Sequence, residues 1–249
     1  MGQTPVRTHG HHRGRLTRAG TVTTVTDLNR PWHTARLVAV DLEGSGAQDR
    51  DQEQILEIAA IRLRDGRPDL ATAYCTCIDP QRPIPPARWI SPGLAGTALH
   101  GQPTLEAVRG DLLTRLTGTY LVGHNIRVDW RLLHRHLPDL TIAGLIDTHR
   151  LAKTTGVPGR LGLTDLLDQF NLTAQVTAAA PDSQPHRALW DTTGAAILLI
   201  TLINRRFTTP PTLTRLLDAA AVPTETAATT SPCDPVPPPG AAPQATLFD

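Results

Sequence analysis

A chain of 249 residues is long enough for one sizeable core with extra segments, and its formal net charge of +1 creates no strong field of either sign, so an anionic substrate would have to be held by local groups and bound cations. No apolar run approaches the roughly 20 residues of a membrane span, and the N-terminus lacks the apolar centre of a signal peptide. Three cysteines, two of them alternating as Cys75-Thr76-Cys77, form neither a CxxC pair nor an even disulfide framework, and a soluble, cytoplasmic protein with no membrane partner is the expectation.

Residues 1–34 contain Thr8-His9-Gly10-His11-His12-Arg13-Gly14-Arg15, a single acid at Asp27 and no sustained apolar periodicity, which reads as a basic, disordered arm. Its histidines could touch a metal or nucleic acid, but a solvated tail accounts for them without either. Leu37-Val38-Ala39-Val40 reads as a buried strand that runs into Asp41-Leu42-Glu43 and the glycine-rich turn Gly44-Ser45-Gly46. Residues i and i+2 of a strand share a face, so Asp41 and Glu43 leave its carboxyl end together, where α/β sheets place ligands. Neighbouring carboxylates repel and are costly to bury unless a cation sits between them. They read as metal ligands, the alternative being a strand that ends in two solvated acids.

Gln54 to Arg64 begins as an apolar run, ends in alternation and stops at Asp65-Gly66, which gives a second strand and a hairpin turn. Leu70 to Ile78 supplies a third strand, completing an antiparallel meander, and the prolines from Pro80 to Pro92 exclude strand and helix there. Thr104 is a helix N-cap, with Leu105, Val108, Leu112, Leu113 and Leu116 at helical spacing through about Thr117. Tyr120-Leu121-Val122-Gly123 is a fourth buried strand, running straight into His124-Asn125-Ile126-Arg127-Val128-Asp129-Trp130 and a helix to about Leu137. Ile126, Trp130, Leu133 and Leu137 form the core face of that helix. At about 100° per residue Asp129 lies roughly 60–70° from the centre of that face, a border position that suits a third metal ligand. The stripe Arg127, Arg131, Arg135 is centred more than about 120° from Asp129, so a solvated face explains it better than a DNA-binding one.

Leu140 to Ile146 gives the fifth strand, Asp147 caps a helix through Lys153, and Leu163 to Phe170 forms another. After the loop Pro181 to Pro185 comes His186-Arg187-Ala188-Leu189-Trp190-Asp191 and an apolar helix to about Ile203. On one helix His186 and Asp191 would diverge by about 140°; they converge with His186 in the loop and Asp191 in the first turns. Residues 207–221 read as a C-terminal helix. Seven prolines between Val222 and Pro243 mark a disordered linker within the tail 222–249, which ends in Gln244-Ala245-Thr246-Leu247-Phe248-Asp249.

The order D-x-E, HNxxxD, HxxxxD resembles the DEDDh family of 3′→5′ exonucleases, the group that includes the proofreading epsilon subunit of bacterial DNA polymerase III. The resemblance covers about residues 35–206 and runs through Asp41-Leu42-Glu43-Gly44-Ser45-Gly46, Leu56-Glu57-Ile58-Ala59-Ala60, His100-Gly101, Val122-Gly123-His124-Asn125, Asp129 and His186 to Asp191. It implies an α/β, ribonuclease H-like fold in which a five-stranded mixed sheet is flanked by helices. It also implies that Asp41, Glu43, Asp129 and Asp191 hold two divalent metals, that His186 is the general base, and that Leu42, Gly44, Ser45, His124 and Asn125 lie on the substrate side. For Asn125 an ordinary hydrogen bond at the helix start is the alternative. Physical chemistry agrees with the metal set, because four carboxylates suit Mg²⁺ or Mn²⁺ and two such cations stabilise the attacking and leaving oxygens at phosphorus. An imidazole with a pKa near 6.5 can accept a proton from water near neutral pH.

One departure stands out: relatives usually continue D-x-E with T-T-G, where this chain has Gly44-Ser45. The metal set is untouched, whereas the preference for DNA or RNA is put in question. Val128 stands where many relatives have phenylalanine, a mild apolar exchange. The implied activity is release of nucleoside 5′-monophosphates from nucleic acid 3′ ends, with single-stranded DNA the expected substrate. The alternatives are an RNase T- or oligoribonuclease-like activity on RNA, and a catalytically idle clamp- or polymerase-binding module. Gln244, Leu247 and Phe248 resemble the Q-x-x-L-F peptides with which polymerase and repair proteins bind the bacterial sliding clamp, a chance match or a tail docked on its own domain being the alternative.

Overall fold

The computed structural model describes residues 28–46, 52–91 and 93–224. Its hub is strand β1 (Leu37–Gly44), whose first residues alternate between two cores. Leu37 and Ala39 face one, Val38 and Val40 the other, as the two-residue period of a strand requires when both faces are covered. On one side β1 pairs antiparallel with β2 (Ile55–Arg64), which in turn pairs antiparallel with the short β3 (Arg67–Pro68) and with β4 (Tyr74–Cys77). On its other side β1 runs parallel to β5 (Tyr120–Gly123), and β5 parallel to β6 (Gly144–Asp147). Five strands thus make the expected mixed sheet, to which the two-residue β3 and β7 (Ala221–Val222, antiparallel to β6) add edges.

Helices cover both faces. The Val38–Val40 face packs on α1 (Leu105–Leu116) and α2 (Arg127–His136) through Leu112, Leu116, Trp130 and Leu133. The Leu37–Ala39 face packs on α3 (Thr148–Thr154), α4 (Leu163–Gln169), α5 (Thr173–Ala179), the long α6 (Ala188–Arg206) and α7 (Leu213–Ala220). Thr104, Asp147 and Thr212 cap α1, α3 and α7 by accepting from backbone N–H groups of the first turn. Gly123 makes the turn from β5 into α2 possible: a Cβ there would lie 2.5 Å from Ile126 Cδ1 and 3.0 Å from the Val40 carbonyl. The arrangement is ribonuclease H-like, as the resemblance implies.

Several elements depart from expectation. The third strand does not begin at Leu70; Leu70–Thr72 is a single 3-10 turn. The Thr72 hydroxyl donates to the Asp69 carbonyl and accepts from the Arg62 N–H, occupying the ladder position that a strand residue would have taken. The strand expected from Leu140 starts only at Gly144, because Leu140 folds back to donate its N–H to Leu137 while its side chain is buried against α2. Helix α5 had no place in the sequence reading; among its residues only Val176 is fully buried, too little for a periodic signal. Residues 28–34, counted with the basic arm, instead pack on α7, with Trp32 buried and hydrogen bonds linking Trp32 N–H to Pro211, Leu213 N–H to Arg30 and the Thr214 hydroxyl to Leu28. The tail carrying Gln244, Leu247 and Phe248 lies outside the described residues. Among the described residues no helix is long and apolar enough to cross a membrane.

Candidate active site

At the carboxyl end of β1 the chain gathers acids. Asp41 and Glu43 project from the strand, Asp191 comes from the first turn of α6, and each of the three offers an oxygen within 4.8 Å of the others. Asp129, in the first turn of α2, is buried beside them and accepts the Leu42 backbone N–H at 3.0 Å. Burial, and then the charges of Asp129, Asp191 and Glu43, hold the Asp41 carboxyl well above its ordinary pKa. Burial likewise pushes Asp129 up to about 8, Glu43 up to about 7 and Asp191 up to about 6. The Leu42 N–H opposes the first of these shifts; the second is opposed by the Ser91 hydroxyl, which donates to Glu43 at 2.7 Å, and the third by the His186 backbone N–H, at 3.4 Å from Asp191. No lysine or arginine forms an ion pair with any of the four among the described residues. Carboxylates crowded in this way fit hard divalent cations, whose charge would remove the repulsion, and offer nothing to a soft metal.

His186 is exposed, in the turn before α6, with φ 65° in the left-handed region. Its neighbour fixes the turn: the Arg187 guanidinium donates from Nε and Nη2 to the two oxygens of Glu57, at 2.8 and 2.6 Å, and the Ala188 N–H adds a third donor at 3.0 Å. Glu57 is 3% exposed on β2, so strand and turn are joined through a desolvated, forked pair. The thiols of Cys75 and Cys77 lie 3.8 and 3.9 Å from the same glutamate, and partial burial together with the Glu57 charge raises the pKa of Cys77. Glu57 and Arg187 carried no assigned role in the sequence, although an acid inside a continuous apolar strand is a signal for a buried partner. Nothing in the sequence pointed to Ser91.

The residues expected on the substrate side are largely engaged by the fold. Leu42 offers its N–H to Asp129 and its side chain to the core. Ser45 is buried and closes the turn after β1, its N–H donating to the Gln54 carbonyl and its hydroxyl accepting the Gln54 N–H. Gly44 abuts Leu132, which would lie 3.1 Å from a Cβ. Both ring nitrogens of His124 are bonded, to the Thr148 hydroxyl at 2.9 Å and the Leu161 carbonyl at 2.8 Å, and burial holds its pKa below the imidazole value. Asn125 adopts φ 60° and donates its N–H to Asp147. The arginine stripe on α2 is not simply solvated: Arg131 and Arg135 reach the buried Glu53 at 2.7 and 3.6 Å, and His136 bonds the Glu53 carbonyl. Glu53 lies in the segment after the β1 turn, too far along the chain for helical periodicity to reveal the pairing.

Fold and acid cluster together define a nuclease of ribonuclease H-like architecture. The exonuclease family model matches residues 38–199, and the chain belongs to that family. Among curated proteins it is 26% identical over 191 residues to the 3′-5′ exonuclease DinG of Bacillus subtilis (strain 168), covering 73% of this chain and 19% of that protein. It is 26% identical over 173 residues to a DNA polymerase III subunit epsilon-like protein of Rhodobacter capsulatus, covering 70% of this chain and 24% of the relative. The chain therefore spans a fifth to a quarter of the length of these two relatives. Among solved structures, exonuclease X in complex with 5′ overhanging duplex DNA superposes with a TM-score of 0.56 at 25% identity, over 72% of this chain and 98% of that one. These likenesses support the DEDDh-type, epsilon-like resemblance read from the sequence.

Proposed function

We propose that the protein removes nucleoside 5′-monophosphates from DNA 3′ ends with two divalent cations, Mg²⁺ or Mn²⁺, held by Asp41, Glu43, Asp129 and Asp191. The observation that carries this is the crowding of three half-buried carboxylates within 4.8 Å with no guanidinium or ammonium paired to them among the described residues. When bound, the cations neutralise charge gathering on the phosphoryl oxygens and acidify water. The chain's own groups do the rest. Ser91 orients Glu43 and the Leu42 N–H orients Asp129, so neither acid has to find its direction as the substrate arrives. His186, exposed beside Asp191, takes the proton of the attacking water at an imidazole nitrogen. The Glu57–Arg187 fork holds the turn that carries it. DNA is favoured by the kinship with exonuclease X and the epsilon-like relative.

Incubation of the purified protein with 3′- and 5′-labelled DNA and matched RNA oligonucleotides, with Mg²⁺ or Mn²⁺, tests the reading. Mononucleotides released from DNA 3′ ends are expected. Faster cleavage of RNA makes the protein an exoribonuclease; internal cuts, or no products, overturn the assignment. The idle-module alternative is disfavoured by retention of all four acids and the histidine. We also propose that Gln244, Leu247 and Phe248 bind a bacterial sliding clamp, since two large apolar side chains on a tail each gain roughly 1.5–3 kcal/mol only on full burial. A labelled peptide of residues 238–249 titrated against a clamp should saturate, and a Leu247→Ala, Phe248→Ala peptide should not; equal binding by both, or none, ends the idea.

A further inference from the structure

The sheet has a second charged end. At the amino end of β1, away from the acids, a cavity of about 260 Å³ opens between the second half of β2 and the last turn of α1. Three guanidiniums line it, from Arg36 just before β1, Arg62 on β2 and Arg115 on α1, together with Thr72, Thr114 and Thr119. The register explains the gathering: Arg62 stands opposite Val38, two residues beyond Arg36, while the Arg36 carbonyl accepts the Tyr120 N–H and so ties the entry of β1 to that of β5. No carboxylate lines the cavity, and among the described residues none of the three arginines forms an ion pair. The Arg115 guanidinium lies 4.6 Å from the centre of the Tyr74 ring and 3.5 Å from the Thr72 carbonyl.

The hydroxyls narrow the ligand. Thr72, Thr114 and Thr119 each already donate their proton to a backbone carbonyl, of Asp69, Gly110 and Leu116 respectively, and Thr72 also accepts the Arg62 N–H, so any lone pair left toward the cavity can only accept. The guanidiniums can only donate. A matching ligand therefore brings an oxyanion for the arginines and hydroxyl donors for the threonines, in a volume of small-molecule size. Arginine is the side chain suited to phosphate, through its planar fork of donors. We propose that this cavity binds a phosphomonoester of a small polyhydroxylated molecule, the size of a mononucleotide or sugar phosphate, at a site separate from the acids at the carboxyl end of β1.

The test uses the full chain in EDTA, titrated calorimetrically with 5′-AMP, with adenosine, and with a 12-mer DNA lacking terminal phosphates. One equivalent of AMP should bind saturably, adenosine and the 12-mer should not compete, and AMP should raise the melting temperature. Arg62→Gln and Arg115→Gln, each checked for an unchanged melting temperature without ligand, should weaken AMP at least tenfold, while Arg62→Lys should recover part of the loss. Asp41→Asn should bind AMP as the parent does. No AMP binding, equal binding of adenosine, preference for the 12-mer, indifference to both arginine variants, or loss in Asp41→Asn would each overturn the proposal.

Discussion

Glu43 and Glu57 are direct partners across the β1–β2 ladder, and their surroundings are opposite. Glu57 is clasped by the Arg187 fork and the Ala188 N–H, and Glu53, at the entry to β2, is likewise met by Arg131 and Arg135. Glu43, one strand away, accepts the Ser91 hydroxyl, forms no ion pair among the described residues and is crowded by Asp41 and Asp191. An acid matched by a guanidinium at fixed geometry is a brace; removing either partner leaves a buried charge, and nothing diffusible can repair the site. An acid left among other acids suits a counter-charge that arrives from solution, the role proposed above for a divalent cation. The same residue type, in the same sheet, thus separates into scaffold and site according to whether its counter-charge is built into the chain.

The widest separation should appear in activity. Asp191→Ala removes a proposed metal ligand, and cleavage should fall by at least about 10³-fold at every pH, since the loss of even one transition-state donor elsewhere costs about 10²–10³. His186→Ala leaves the acids in place, and the rate should drop about 10²–10⁴-fold with the acid limb of the pH profile flattened. Rates measured against pH for both variants check this; an unchanged rate for His186→Ala removes the histidine from the mechanism.

On the scaffold side the effect should be on stability first. Arg187→Ala strands Glu57 at 3% exposure, and breaking such a pair costs about 3–5 kcal/mol. Glu57→Gln with Arg187→Met, which removes both charges, should recover much of that, and a denaturant series on the three proteins reads it directly. If the fork also sets the His186 turn, the double variant, though refolded, should retain a lowered kcat with an unchanged KM for the oligonucleotide. A double variant with full activity would make the fork purely structural.

Much of this division was legible in the residues. The strand Leu37 to Val40, its two acids and the helix face through Ile126 and Trp130 follow from periodicity, and the placing of His186 in a turn before Asp191 follows from helix geometry. The braces did not, because Glu57 and Arg187, or Glu53 and Arg131, are brought together only by the packing of elements far apart in the chain. For the same reason the Ser45 hydroxyl, expected beside a substrate, is taken up closing the turn with Gln54. Leu70 to Thr72 misled because a strand-like composition was overruled by local bonds, from the Thr72 hydroxyl and N–H to the Asp69 carbonyl and from the Ala73 N–H to Leu70.

The smallest expected effect is thermal, and it distinguishes the two kinds of acid without any substrate. Asp191, Glu43 and Asp129 have folded-state pKa values near 6, 7 and 8, above the ordinary range of about 4 that they regain on unfolding. The folded chain therefore holds protons that the unfolded chain has already lost, and in EDTA stability should fall as pH rises from about 5 to 8. The buried ring of His124 acts the other way: its lowered pKa means that the folded chain gains stability as pH rises up to the ordinary imidazole range, with no further gain above it. The informative quantity is accordingly the difference between melts with and without cation, in which the histidine cancels. Mg²⁺ should raise the melting temperature little at pH 5 and most at pH 8, by a few degrees, each kcal/mol being about 2–4 °C for a chain of this size. Asp41→Asn should flatten the slope in EDTA and shrink the Mg²⁺ effect, whereas Glu53→Gln, on the braced side, should lower the melting temperature equally with and without cation. Equal slopes in EDTA and Mg²⁺ for the parent chain would mean that the crowded acids are not where the cation binds.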